Sequence, residues 1–268
     1  MLEAKQLGSV TDFCTGRNIG SFVFYHAHCF LIDEILIDTS TVYVQNELLS
    51  ALSDQRVSTI INTHHHEDHS GNNTIIQKKF DAAIYAHPLA LPHLRNPRQN
   101  RLRFYERVVW NYPIASSAQP LGETLETAAH TLEIIHTPGH SMDHICIYEP
   151  QLKILFTGDL YCGEKVVYLR GDEDFKQILS SLRRLVGLDV RTIYCAVLGR
   201  VENSGIVSLL ERKLRFMERL QANVLERKLK GMSRIDIRKE LLGNEGYLFW
   251  ISNGHFSKQN LVNSILAN

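Results

Sequence analysis

The chain has 268 residues, in which 29 Lys and Arg balance 29 Asp and Glu, with 44% hydrophobic and 22% charged residues. That is enough for one large core plus a small extension, and it excludes disorder, collagen and coiled-coil arrays as the main state. A net charge of zero gives no overall drive toward nucleic acid or an anionic membrane. Five scattered cysteines with no C-x-x-C pair argue against a disulfide framework or a cysteine zinc site, and they fit a reducing, cytoplasmic setting. The opening MLEAKQLGSV has no apolar leader region, and no apolar run approaches the roughly 18 residues of a membrane helix. Histidine is the unusual count, at 13. The excess is local, concentrated between positions 64 and 69.

In chain order, Ser21–Asp33 and Glu34–Asp38 read as two strands joined at Asp33-Glu34, and Val57–Thr63, rich in β-branched residues, as a third. Ala82–Ala86, Thr131–His136, Ile145–Tyr148, Lys153–Thr157 and Thr192–Val197 continue the series, with Glu149-Pro150-Gln151 as a turn. Helices are predicted at Thr41–Leu52, at Asn72–Phe80 with Ser70 as N-cap, and at Asp174–Val186. In the last, Asp174 caps and Phe175, Ile178, Leu182 and Leu185 recur at helical spacing up to Gly187. Residues 92–120 break the pattern with Arg95, Arg98, Arg101, Arg103 and Arg107 among Tyr105, Trp110 and Tyr112, a basic, aromatic insertion. Beyond about residue 203 the chain turns helical, with Leu210, Leu214, Met217, Leu220 and Val224 on one face, then Ser233–Leu242 and Ser257–Leu266. Hairpins mixed with helical crossovers predict mixed sheets with helices packed outside.

The chemistry concentrates in Thr63-His64-His65-His66-Glu67-Asp68-His69, directly after a predicted strand. Extended backbone repeats every two residues, so His64, His66 and Asp68 can project to one side, which a regular helix does not allow. Other strand ends carry similar groups: His140 after a Pro-Gly turn, Asp159 after Lys153–Gly158, and Asp38 after Glu34–Ile37. Imidazole with carboxylate suits zinc, iron or manganese.

The run His64-x-His66-x-Asp68-His69, then Thr-Pro-Gly-His140, then Phe-Thr-Gly-Asp159, preceded by Ile-Asp38-Thr, resembles the metallo-β-lactamase superfamily over roughly residues 20–200. The resemblance implies an α+β fold, a four-layer αββα sandwich with metals at one edge of two facing mixed sheets. Residues 1–202 would form this core, with 92–120 as a lid-like insertion. Residues 203–268 would form a helical C-terminal extension like those of non-lactamase members. The resemblance further implies that His64, His66 and His140 hold a first metal, that Asp68 and His69 hold a second, and that Asp159 bridges them. Asp38 would be a carboxylate that orients ligands. One departure stands out. The family usually supplies another histidine after a late strand, whereas Tyr194–Gly199 contains none, with Val197 or Leu198 in its place. The second site would then hold Asp68, His69 and Asp159 alone.

His255 could fill that position, against the plainer reading of a loop histidine before the last helix; His144 and Asp143 could support the site or contact substrate, or equally be packing residues. His26 and His28 alternate on one strand face, His65 and Glu67 should point away, and His87, His93, His130 and His136 read as structural. Arg103, Tyr105 and Trp110 of the insertion are candidates for substrate contact, against the plainer reading of a solvated face. Ser70, Ser141 and the cysteines are weak nucleophile candidates.

The cofactor implied is Zn2+, one or two per chain, with Fe or Mn as alternatives. A metal lowers the pKa of bound water from 15.7 toward about 7, so hydroxide can attack a thioester, lactone or other small ester at neutral pH, with Asp68 orienting it or shuttling its proton. Three alternatives stay open: a mononuclear iron dioxygenase of the same superfamily, a phosphodiesterase or nuclease, and a non-catalytic binding descendant. A small-molecule substrate is expected, without nucleic acid or membrane as partner; a homodimer is left open.

Overall fold

A computed structural model of the chain describes residues 1–19, 22–127, 129–202 and 206–267. The predicted strand start at Ser21 and the domain boundary at 203 lie outside the described residues. The chain divides into two compact units. One comprises Met1–His136, Asp143–Cys162 and Val190–Asn203, and the other Thr137–Met142, Gly163–Asp189 and Ser204–Asn268.

The first unit holds two sheets. Strands β1 (Leu2–Leu7), β2 (Val10–Ile19), β3 (Phe22–Ile32), β4 (Ile35–Ile37), β5 (Thr59–Asn62), β6 (Ala83–Ala86) and β7 (Gln119–Pro120) form the first in sequence order. It is antiparallel through β4 and parallel beyond. The second runs β13 (Gly199–Glu202), β12 (Thr192–Cys195), β11 (Ile154–Phe156), β10 (Ile145–Glu149), β9 (Thr131–His136), β8 (Thr124–Glu126). The sequence reading had not picked out β1, β2, β7, β8 or β13; β2 alternates charged and small residues with only a few apolar ones, so its run is hard to see.

Side-chain alternation explains the layering. Phe30, Ile32, Ile35, Ile37 and Ile61 share a buried cluster with Leu132, Ile145, Ile147, Ile154, Phe156 and Tyr194 of the second sheet. The intervening Cys29, Leu31, Leu36 and Ile60 point the other way, against Leu48, Leu52 and Ile76. Those last residues belong to or flank helices α1 (Gln45–Ala51) and α3 (Asn73–Phe80). Strands buried on both faces must read as continuous apolar runs, as VSTII and EILI do. Between α1 and α3 lies a single turn, α2 (Glu67–Ser70), and the arginine-rich insertion forms α4 (Leu91–Arg95) and α5 (Phe104–Val109). The predicted N-cap of α3 is corrected. Ser70 ends α2 instead, and its hydroxyl donates to His65 and His66 carbonyls at 3.1 and 3.0 Å.

The second unit is helical: α6 (Phe175–Leu185), α7 (Ile206–Leu229), α8 (Arg234–Leu242), α9 (Tyr247–Ile251) and α10 (Lys258–Ile265). Asp174 caps α6 by accepting from Lys176 and Gln177 N–H at 2.8 and 3.0 Å. Ser257 caps α10 in the same way. Met217, Leu220 and Val224 of α7 are buried, as are Leu261, Val262 and Ile265 of α10. No helix among the described residues is long and apolar enough to cross a membrane.

Candidate metal centre

The histidine-rich run follows β5. The strand ends at Asn62, the chain bends over Thr63–His66, and His66 (φ −60°, ψ 159°) leads into α2 at Glu67. The expectation that Asp68 lies on an extended segment is therefore corrected: Asp68 and His69 sit on a helical turn, about 100° apart. That separation lets neighbours in sequence serve different contacts.

His69 is the best-defined group. It is buried, and its Nδ1 lies 2.7 Å from Asp38 Oδ2. Asp38 also accepts from Thr63 N–H and Thr63 Oγ1, both at 2.8 Å. In its neutral form, with the proton on Nδ1, His69 would present the Nε2 lone pair inward. That atom is buried and has no hydrogen-bond partner among the described residues, yet it faces Asp68 Oδ2 at 3.6 Å and Asp159 Oδ1 at 3.5 Å. Burial disfavours the charged imidazole, but the carboxylates of Asp38, Asp68 and Asp159 outweigh it and hold the His69 pKa well above its ordinary value. A cluster this rich in negative charge asks for a cation, and one ligand atom each from His64, His69 and Asp159 lies within 4.8 Å of the others. The donor set therefore fits a metal such as zinc or iron.

Neighbouring groups fix these side chains. His64 is fully buried, with Nδ1 3.1 Å from Thr63 Oγ1 and Nε2 2.8 Å from His66 Nδ1. His65 turns aside, and its N–H and Nδ1 engage Asp143 at 2.8 and 2.9 Å, so Asp143 clasps the loop. His144 accepts from the Asp159 N–H at 3.2 Å. Gly158, at φ +46°, leaves room for it: a Cβ there would meet His144 Nε2 at 2.7 Å and Thr63 Oγ1 at 3.0 Å. The Tyr25 hydroxyl donates to Asp68 Oδ2. Burial, then Asp68 and Asp159, raise the Tyr25 pKa, which keeps the phenol protonated as a donor.

The remaining candidates each have partners of their own. His140 belongs to the second unit, with Nδ1 2.6 Å from Glu173 Oε1. His255 is there too, its Nε2 3.2 Å from Asp172 Oδ1. His26 and His28 meet Cys14 Sγ at 3.7 Å and Asp12 Oδ1 at 2.7 Å. Trp110 is buried edge-on to Tyr25, their centroids 5.5 Å apart, and Tyr105 packs against Trp110. Arg103 is exposed at the start of α5. Val197 and Leu198 are exposed, while Cys195 beside them is buried and its sulfur accepts from Val197 N–H at 3.3 Å. Burial opposes the Cys195 thiolate, but hydrogen bonds from Cys162 and the backbone outweigh it and lower the pKa. The sequence reading did not single out Thr63, Tyr25 or Glu173. Position after a strand hinted only at Thr63; the other two become visible through contacts remote in sequence.

Two facing mixed sheets with imidazoles and carboxylates gathered at strand ends are the layout of an α/β metal-site protein. The sequence profile of the metallo-beta-lactamase superfamily matches residues 24–197, and the chain belongs to that superfamily. It is 33% identical over 145 residues to a hydroxyacylglutathione hydrolase of Maricaulis maris, covering 52% of this chain and 48% of that one. It is 27% identical over 168 residues to an atrochrysone carboxyl ACP thioesterase of Aspergillus fumigatus, covering 60% and 46%. The chain thus spans about half the length of these relatives. A metallo-beta-lactamase family protein from Thermus thermophilus shares the fold, with a TM-score of 0.63 at 22% identity over 97% of this chain and 91% of that one.

Proposed function

We propose that this protein is a metal-dependent hydrolase of acyl thioesters. The observation that carries this reading is the His69 environment: an inward Nε2 with no hydrogen-bond partner among the described residues, facing two carboxylates, and an Nδ1 tied to Asp38. The names of the two relatives above, a hydroxyacylglutathione hydrolase and an ACP thioesterase, support the thioester over the lactone. The motifs assign His64, His66 and His140 to one ion and Asp68, His69 and Asp159 to another, and we take zinc as the metal. When bound, the metal supplies a Lewis acid and water of lowered pKa. Asp38 holds the His69 tautomer and the Thr63 backbone, fixing the direction of the Nε2 lone pair. Asp68, held by Tyr25, is placed to accept or return a proton at Oδ1 or Oδ2. His144 fixes the backbone of Asp159.

A second reading, a mononuclear iron dioxygenase, draws on the exposed Val197 and Leu198 where the family usually supplies a histidine. Elemental analysis of the purified protein, together with assays on a thioester panel, separates the two. Zinc with thioester turnover supports hydrolysis; one iron per chain with oxygen uptake would replace it. His66→Ala should abolish both metal retention and turnover, and activity surviving that change would sink this centre.

A further inference from the structure

Of the five cysteines, Cys162 is exposed, Cys14 is half-buried, and Cys29, Cys146 and Cys195 are buried. Cys29 and Cys146 donate to the backbone carbonyls of Phe13 and Thr157 at 4.0 and 3.7 Å, the ordinary fate of a core thiol. Cys162 and Cys195 differ. The ends of β11 and β12 are tied side by side, with Thr157 N–H donating to the Tyr194 carbonyl at 2.9 Å and Ala196 N–H to the Gly158 carbonyl at 3.1 Å. Cys195, the last residue of β12, therefore lies against the turn that carries Asp159. The chain bends there, with Leu160 N–H donating to the Thr157 carbonyl at 2.9 Å, and brings Cys162 back to the same turn. Its Sγ lies 3.1 Å from the Asp159 carbonyl oxygen, and it also hydrogen-bonds to Cys195.

One thiol proton serves both of these acceptors, so the two sulfurs are neighbours, one open to solvent and one sealed in the sheet. An accessible thiol beside a second, protected thiol is the arrangement that oxidant-sensing cysteines use. Closing the contact to the roughly 2 Å of a disulfide asks for movement at Cys162, which lies outside helices and strands. Cys195 on β12 stays where it is.

We propose that Cys162 and Cys195 form a dithiol pair that hydroperoxides oxidise to a reversible disulfide, and that this bridge loosens the turn carrying Asp159. The proposal is independent of the hydrolase reading. In the first step the Cys162 sulfur attacks one oxygen of hydrogen peroxide and the O–O bond breaks. The thiol proton goes to the leaving oxygen, giving water and a sulfenic acid at Cys162. In the second step the Cys195 sulfur attacks the Cys162 sulfur and the S–O bond breaks. The S–S bond forms, and the Cys195 proton leaves with the hydroxyl as a second water. The two thiols give up two electrons, and the peroxide takes them. A small dithiol reductant returns both by exchange. Once bridged, Cys162 has no proton for the Asp159 carbonyl, so the turn loses a hydrogen bond that holds it.

The test uses the full chain loaded with zinc, which peroxide does not oxidise. Treated with hydrogen peroxide, the parent should lose two of its five thiols, counted after denaturation, and regain both with dithiothreitol. Proteolysis without reductant should yield a linked peptide that joins Cys162 to Cys195. Cys162→Ser, a change at an exposed position that keeps a hydroxyl donor, should hold its remaining thiols through the same treatment. Cys195→Ala should stop at the first step and leave a sulfenic acid at Cys162 that dimedone labels, whereas the parent should take no label. Zinc should pass to a chromophoric chelator about tenfold faster from the bridged parent than from the reduced one. From Cys162→Ser it should pass at one rate with or without peroxide. A full thiol count after peroxide, a bridge between any other pair, or oxidation of Cys162 beyond the sulfenic acid with no bridge would overturn the pairing. A bridge that forms while zinc release stays unchanged would overturn the link to Asp159. Thioester turnover, measured on the reduced protein, decides the hydrolase reading separately.

Discussion

At the scale of single residues, Asp38 governs the cluster by accepting three hydrogen bonds from Thr63 and His69. It does so at φ +61°, a left-handed conformation that Asn tolerates well. Asp38→Asn is thus a replacement that spares the backbone and removes the charge. It should weaken zinc binding by about 10–100-fold, measured by competition with a chromophoric chelator. Gly158 is constrained differently, because a Cβ there would collide with His144 and Thr63. Gly158→Ala should cost about 1–3 kcal/mol in urea unfolding and disturb Asp159, lowering metal uptake in the same preparation.

At the scale of elements, strand ends deliver the groups and helix caps fix the elements that follow them. The single turn α2 brings Asp68 toward Tyr25 and His69 toward Asp159, which an extended segment could not do at adjacent positions. In the second unit, Asp174 satisfies two N–H groups at the start of α6. Asp174→Ala should destabilise that unit by about 1 kcal/mol in chemical denaturation, with metal content unchanged. Phe156 lies in the layer between the sheets, stacked on Tyr194 at 5.2 Å. Its replacement by Ala should cost about 3–5 kcal/mol, a far larger loss than the cap.

At the scale of the whole molecule, metal and pH act through linkage. An ion bound only by the folded chain stabilises it by about 2.7 kcal/mol at a hundred times its Kd. Chelator-treated protein should therefore melt lower than the metal-loaded form, with the difference growing with metal concentration in a calorimeter. In the second unit, burial opposes the charge on Asp172, but the hydrogen bond from His255 and the paired Arg170 guanidinium outweigh it and hold its pKa far below the usual carboxylate value. A depressed folded pKa gives stability that is present above about pH 4, the unfolded value, and is lost as pH falls further. Because the carboxylate is 56% exposed, solvent screening keeps the effect to about 1 kcal/mol or less. Asp172→Asn should lower the melting temperature slightly through the neutral range and flatten its fall below pH 4, so that variant and parent converge at the acid end.

Much of the core was legible because both of its periodicities are local. The alternation of Ile60 with Ile61 and of Leu36 with Ile37 assigns faces before any partner is known, and the spacing from Phe175 to Leu185 does the same for α6. The histidine-rich run was also readable, since dense imidazole after an apolar strand has few other uses. The turn at α2 and the Tyr25 bond to Asp68 were not readable, because they depend on groups tens of residues apart meeting in space. Local sequence determined which residues could bind a cation and which surfaces had to be buried. Only tertiary structure decided which nitrogen each imidazole turns inward, because that choice belongs to the hydrogen-bond partner that packing brings to its other side.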